Sequence, residues 1–305
     1  MRFGIMLIPY DRWPDLDSIA EVTVAAESLG FSDVVFGEHL FTPANGQHDS
    51  LGVTWPELYT LSAYIAARTD RIRFTYNATV IPFRHPLHQA IQIATLDQLS
   101  KGRLTLVTGV GWLEEEFEAL GLPFNKRGVI TDEYMRAMRA IWTNDVAEFH
   151  GQFVRFEQVS VKPKCFQQPT VRTLIGGIGK HARRRIVEYG DGWGSPTPWP
   201  ADKLGREIER IRRDVSEAGR NPDELFFTAG LSFGEVDQSL ADAFSHVGSI
   251  GTLAQASPEE TIDLIGQYQD MGFTDMIMST NWNTPTDFIE RLHQFRSEVM
   301  SHFNT

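Results

Sequence analysis

The chain of 305 residues is 42% hydrophobic and 22% charged, the balance of a soluble globular protein with material for one large core or two ordinary ones. Its net charge of −12 and pI near 5.2 argue against nucleic acid or an anionic membrane as partner, so any phosphate must be met by local groups. One cysteine, Cys165, excludes an internal disulfide framework and suits a reducing cytosol; with no motif around it, it reads as a packed or surface thiol.

In chain order, the apolar run Phe3–Ile8 predicts a buried strand; six residues are too few for a signal core or a bilayer span. Tyr10 and Trp13 follow as aromatic groups exposed to cover a substrate, although Trp13 beside Pro14 could instead pack the mouth of the fold. Ile19, Val22, Ala26 and Leu29 then recur at helical spacing. The segment "LGFSDVVF" (29–36) ends that helix at a glycine and opens a second strand, and "MGFTDMIM" (271–278) repeats the pattern near the other end of the chain. Strand 71–81 leads through Pro82 and Pro86 into a helix near Leu87–Leu99, and His85 is placed to fix the turn before Pro86. Strand 103–110 passes Gly111 into "LEEEFEAL", where Glu114, Glu115 and Glu116 suit the positive end of a helix dipole. A stripe of Tyr134, Met138, Ile141 and Trp142 marks the next helix. Segment 148–163 breaks the rhythm and reads as a hairpin turning at Gly151. Strands at 173–177, 192–196 and 225–233 follow, the first two leading into helices. Segment 233–257 is long and helix-poor, a lid or loop region. Ser257 and Glu260 form a capping box, with Pro258 at the first helical position, before the last strand.

Eight short strands with helices between them and no linker predict one (β/α)8 TIM barrel over residues 1–305, with insertions between strands; a doubly wound sheet is the runner-up. Chemistry then belongs at the C-terminal strand ends. The stretch "LIGGIGKHARRR" (174–185) fails as a P-loop, because Leu174 replaces the first glycine and His181 the Ser or Thr. As a dinucleotide fingerprint it comes at the fifth strand and lacks the later acidic residue. On a barrel it is a phosphate loop at a helix N-terminus, made by the N–H groups of Gly176–Gly179 with Lys180 as an added charge. At most one of Arg183, Arg184 and Arg185 can face the same phosphate, so most are expected on a solvated face.

After strand two come Glu38 and His39; a histidine there is placed for proton transfer, and Glu38 either contacts the imidazole or a ligand ring or forms a structural ion pair. Nine histidines include no metal-binding spacing, so no metal is expected. The remaining strand ends carry Tyr76-Asn77-Ala78, Thr108-Gly109-Val110-Gly111-Trp112, Gly176–Gly179 and Trp193-Gly194-Ser195. That lining suits a flat, partly apolar ring with a phosphate tail.

At these residues the chain resembles the bacterial luciferase-like flavin/deazaflavin oxidoreductases, nearest to the actinobacterial branch that uses coenzyme F420. The likeness is strongest over 83–128 and 174–196. It implies a luciferase-like (β/α)8 barrel in which His39 faces the cofactor ring and Asn77-Ala78 forms a non-prolyl cis peptide behind it. It also implies that Thr108 and Val110 line the ring edge, and that Gly176, Gly177, Ile178, Gly179 and Lys180 hold the phosphate. Tyr10, Trp13 and Trp112 are the candidate substrate contacts, and Arg103 and Arg127 read as structural ion-pair arginines. The chain departs from the usual pattern at Tyr76, bulkier than is common, and at Val107-Thr108. The implied activity is hydride transfer between F420, or a flavin, and a small organic substrate. The alternatives are an FMNH2-dependent two-component monooxygenase and a barrel that binds cofactor without turnover. A cytoplasmic homodimer is the expected form.

Overall fold

The computed structural model describes residues 1–196, 199–234 and 257–303. Among the described residues ten strands are formed: β1 (Arg2–Met6), β2 (Asp33–Phe36), β3 (Arg73–Val80), β4 (Leu104–Gly109), β5 (Ala147–His150), β6 (Arg155–Val159), β7 (Arg172–Gly176), β8 (Gly192–Gly194), β9 (Phe226–Ser232) and β10 (Asp275–Ser279). Eight of them close a parallel barrel in the order β1-β2-β3-β4-β7-β8-β9-β10, and β10 returns to pair with β1. The barrel read from the sequence is therefore the barrel formed. Closure removes both sheet edges, so every barrel strand finds a backbone partner on each side.

The helices are α1 (Leu16–Ser28), α2 (Leu58–Ala66), α3 (Pro86–Leu99), α4 (Glu114–Ala119), α5 (Arg127–Thr143), α6 (Lys180–Tyr189), α7 (Ala201–Glu217), α8 (Pro258–Met271) and α9 (Pro285–Glu298). Their apolar faces cover the strands: Ile19, Val22 and Ala26 of α1 are buried, as are Tyr134, Met138, Ile141 and Trp142 of α5. The capping box of Ser257 and Glu260 is present, with Pro258 at the first position of α8. None of the helices in the described residues is long and apolar enough to cross a membrane.

The two echoed segments do one job together. Gly30 and Gly272 both take left-handed conformations, and the strands they open, β2 and β10, are the two neighbours of β1. Gly4 pairs with Asp33, and Arg2 with Asp275. Arg2 grips Asp275 through two bonds of 2.6 and 2.7 Å, while Asp33 accepts from Ser32 and Thr75. The repeat thus closes the barrel around its first strand.

The excursion at 148–163 contains an antiparallel hairpin, β5–β6, outside the barrel. Its turn wraps a carboxylate of α5: Glu133 accepts from the N–H groups of Gln152, Phe153 and Val154 at 2.6–2.8 Å. Gly151 is needed there because a Cβ would stand 2.2 Å from Glu133 Oε1. Cys165 is buried, and burial pushes its thiol up to about 12, which fits the packed-thiol reading. The lid expected at 233–257 falls almost wholly on residues 235–256, outside the described residues.

Removing the carboxylate of Glu133 strips three N–H groups of their acceptor. Glu133→Ala should lower the unfolding free energy by about 1–3 kcal/mol, the cost of one orphaned buried donor, since the Val154 N–H is buried while those of Gln152 and Phe153 are partly open to water. Urea denaturation followed by far-UV circular dichroism measures it, and an unchanged midpoint would show that the turn does not depend on Glu133.

Candidate active site

His39 lies three residues beyond the end of β2, at the C-terminal mouth of the barrel. Its Nδ1 is 3.2 Å from both carboxylate oxygens of Glu116, on α4. Glu116 Oε1 also accepts from the Leu40 N–H at 2.6 Å, and the Glu116 side chain is 1% exposed. The imidazole meets two indoles edge to face, Trp55 at 4.7 Å and Trp112 at 5.4 Å. His48 touches the Trp112 ring from a further side, at 5.6 Å. A ring so enclosed has few orientations left.

Glu116 and Trp55 are the two site residues that the sequence reading missed. The run Glu114–Glu116 looks like dipole complementation, and for exposed Glu114 nothing contradicts that. Glu116, however, shares a helical face with Leu113 and Phe117, both buried, and that spacing was the available signal. Trp55 sits in the loop after β2, where no periodicity marks it.

Glu38 faces the other way from its neighbour. Its carboxylate accepts from the Val80 N–H at 2.7 Å and from Arg84, which also binds Glu57 and lies over the Tyr59 ring. Burial pushes the Glu38 carboxyl up, while Arg84 and the Val80 N–H pull it back. Of the two readings left open for Glu38, the structural ion pair is the one formed, and its oxygens are engaged behind the mouth.

The Asn77–Ala78 peptide is cis, as the resemblance implied, and the β3–β4 register shifts there. Ala78 packs against Gly109, where an added Cβ would come within 3.0 Å of the Ala78 Cβ. Tyr76 is fully buried against Phe36 and Tyr59, so its bulk fills the core. Thr108 is buried and donates to the Leu174 carbonyl, and Val110 is half-buried beyond it. The expected exposure of Tyr10 is corrected, and of the two readings of Trp13 the packed one is formed: both side chains are buried. Tyr10 donates to the Gly37 carbonyl at 3.4 Å and stands behind Trp55. Trp13 donates to the Leu7 carbonyl and packs on Trp282 and Phe288, closing the mouth from below. Trp112 is half-buried against His39.

After β7, Gly177 and Gly179 take left-handed conformations, and a Cβ on either would meet no atom within 4 Å. Ile178 between them is exposed, and Lys180 begins α6. Trp193 Nε1 donates to the Gly177 carbonyl at 2.8 Å and pins the loop from β8. The Gly179 N–H approaches Glu207 Oε1 at 3.3 Å. Of the arginines that follow, expected mostly on a solvated face, only Arg184 is exposed, and all three are ion-paired. Arg183 binds Glu207 and Asp214, Arg184 binds Asp132 and Glu188, and Arg185, itself buried, binds Asp132 and the Gly128 carbonyl. Arg103 and Arg127 are also corrected: their partners are mainly carbonyls, those of Ser100, Ile72 and Ala66 for Arg103 and of Gly111 and Phe124 for Arg127. Among the described residues no group of three His, Cys, Asp or Glu side chains could hold a metal ion.

The loop after β7 fits an anionic tail. The loop at Gly177 and Gly179 is open above its backbone, and Ser195, at the neighbouring strand end, buries an Oγ with no hydrogen-bond partner among the described residues. Known proteins decide the family. The luciferase-like monooxygenase model matches residues 1–234. The chain belongs to that family.

Luciferase-like relatives match well beyond the mouth. An uncharacterized protein of Mycobacterium tuberculosis is 32% identical over 278 residues, covering 81% of this chain and 96% of its own. The FMNH2-dependent dimethylsulfone monooxygenase of Pseudomonas putida is 32% identical over 295 residues, covering 94% of this chain and 76% of that enzyme. Two solved luciferase-like barrels share the fold. A monooxygenase of Streptomyces bottropensis superposes with a TM-score of 0.81 at 24% identity over the whole of both chains. The coenzyme F420 dependent tetrahydromethanopterin reductase of Methanopyrus kandleri superposes at 0.77, with 20% identity over 99% of each.

The Glu38–Arg84 pair tests whether the wall behind His39 depends on charge. Arg84→Met leaves a buried carboxylate without its cation and should cost about 3–5 kcal/mol in denaturant unfolding. Adding Glu38→Gln should return part of that loss in a double-mutant cycle. Additive losses would mean that the two side chains do not act as a pair.

Proposed function

We propose that this luciferase-like chain is an oxidoreductase that holds coenzyme F420 across the barrel mouth and exchanges a hydride between it and a small organic substrate. One observation carries the reading. Four consecutive strand ends around the barrel, β2, β3, β4 and β7, carry in turn His39, the cis Asn77–Ala78 peptide, Thr108 to Val110, and the Gly176–Lys180 loop. A planar ring laid along that arc would have an imidazole at one end, a backbone bulge behind it and N–H donors for a phosphate at the other. Bound there, F420 supplies two-electron hydride chemistry, whereas reduced FMN supplies electrons to oxygen.

The chain's own residues then divide the work. Gly177, Ile178 and Lys180 offer N–H groups and the start of α6 to the phosphate, and the Gly179 N–H joins them on release from Glu207 Oε1. Ala78, Thr108 and Val110 support the ring. Trp112 and Trp55 keep water from the imidazole and present flat apolar walls to the substrate. His39 accepts or donates the substrate proton through Nε2.

A second reading, the FMNH2-dependent two-component monooxygenase, is favoured by the Pseudomonas putida enzyme, whose match spans 94% of this chain. Titrating the purified protein with F420 and with FMN, followed by fluorescence, separates the two. Tight binding of F420 and weak binding of FMN supports hydride transfer; the reverse, with oxygen consumed, supports the monooxygenase. Failure to bind either overturns both. Binding without turnover across substrates would mark a barrel that has lost catalysis. For the enzyme, His39→Ala should lower kcat by about 10²–10⁴-fold, the usual share of a general acid or base. Its cofactor Kd should stay within about threefold, and an unchanged kcat would remove His39 from the reaction.

A further inference from the structure

The geometry points to Glu116 as a positioning residue that fixes the tautomer of His39, holding the proton on Nδ1 and leaving Nε2 as the free ring nitrogen. The inference deepens the proposed role of His39 and rests on it for its kinetic consequence, although not for its structural content. A carboxylate offers only acceptors, so both groups that meet it must bring protons. The Leu40 N–H brings one, to Oε1 at 2.6 Å. The other partner is His39 Nδ1, at 3.2 Å from each oxygen. A neutral imidazole carries one N–H. With Nδ1 unprotonated, its lone pair would oppose the carboxylate lone pairs in a site from which water is excluded, since the Glu116 side chain is 1% exposed and that of His39 11%. The Nδ1–H tautomer is the one the pair can satisfy.

The surroundings leave Glu116 this role to itself. Glu38, adjacent in sequence, is bonded to Val80 N–H and Arg84, and Arg84 divides its guanidinium between Glu38 and Glu57. His48 reaches the Trp112 ring and not the carboxylate of Glu116. Trp55 and Trp112 stand edge to face with the imidazole, and a half-turn about Cβ–Cγ would set a ring carbon, Cδ2, where Nδ1 meets the carboxylate. By holding Leu40 as well, Glu116 ties the start of the loop after β2 to α4 and sets the ring by its backbone. The arrangement has the logic of a carboxylate–histidine pair in which the acid orients the base.

The test reads the tautomer directly in ligand-free protein. Two-bond ¹H–¹⁵N spectra of ¹⁵N-histidine-labelled protein, recorded from about pH 6 to 10, distinguish a protonated from an unprotonated ring nitrogen, and His39→Gln identifies the His39 signals. Wild type should show neutral His39 as Nδ1–H. In Glu116→Gln the amide oxygen keeps the Leu40 N–H and the amide NH2 turns to Nδ1, so the signals should switch to Nε2–H. Turnover should fall by about 10²–10⁴-fold with cofactor Kd within about threefold; the upper end is the loss known for a wrong tautomer in a Ser-His-Asp triad. Glu116→Asp, which keeps a carboxylate, should retain the Nδ1–H tautomer and recover part of kcat. An Nε2–H tautomer in wild type overturns the inference, even if Glu116→Gln does not fold. So does an unchanged tautomer in Glu116→Gln. If the tautomer switches as expected but wild type binds neither F420 nor FMN, the orientation stands and the oxidoreductase reading falls.

Discussion

Carboxylates that accept backbone N–H groups from neighbouring loops hold the connections of this barrel in place. Parallel strands pair with each other, but the turns between strands and helices leave N–H groups that need acceptors. Here side chains from other repeats supply them. Glu27 of α1 takes the N–H groups of Asp70, Arg71 and Ile72 at the entry to β3. Glu133 of α5 folds the β5–β6 turn, Asp97 of α3 takes Gln167, and Asp191 takes Thr173 at the start of β7. Burial works against such an acid, yet at Glu27 the three N–H groups outweigh it and hold the carboxyl below its usual range. Part of the chain's large negative charge is therefore internal scaffolding.

The mouth uses the same device for another purpose. Glu38 and Glu116 are also acids that gather a backbone N–H, of Val80 at the end of β3 and of Leu40 in the loop after β2. Each takes a second partner, and those partners differ: Arg84 for Glu38, His39 for Glu116. Two adjacent residues after β2 are thereby held from two different repeats, β3 and α4. The scaffold that fixes the loop fixes the imidazole in the same contact. Rigidity at His39 follows from the way the barrel holds its turns, and no separate apparatus is required.

How much of this could be read from the sequence depends on distance along the chain. Each strand and helix is specified by its own few residues, so eight repeats were legible one at a time, and the echo at 29–36 and 271–278 marked the two strands that flank β1. The Asn77–Ala78 cis peptide came from resemblance; no local pattern announces it. What stayed hidden was pairing across repeats. Glu116 meets His39 across 77 positions, and a run of three glutamates at a helix start has a sufficient local explanation that conceals the contact. The aromatic residues Tyr10 and Trp13 follow a strand and look available. Only their backbone acceptors, Gly37 and Leu7, show that they turn inward. Trp55 had no signal at all, because a loop residue acquires its neighbours solely from the folded whole.

The same cross-repeat pairing changes what the glycine loop can do. Arg183, Arg184 and Arg185 look like a reserve of positive charge for a phosphate, yet each is bound to carboxylates of α5, α6 or α7. One of those acids, Glu207, even reaches the Gly179 N–H. An anion at this loop would meet directed N–H groups and a helix end, with Lys180 alongside, in place of three guanidinium groups. Directed donors discriminate by position more than by net charge, whereas attraction to exposed cations is diffuse and screened by salt. Recognition of the phosphate proposed for this loop would therefore rest on directed backbone donors and not on the three arginines, whose charges are engaged by neighbouring carboxylates.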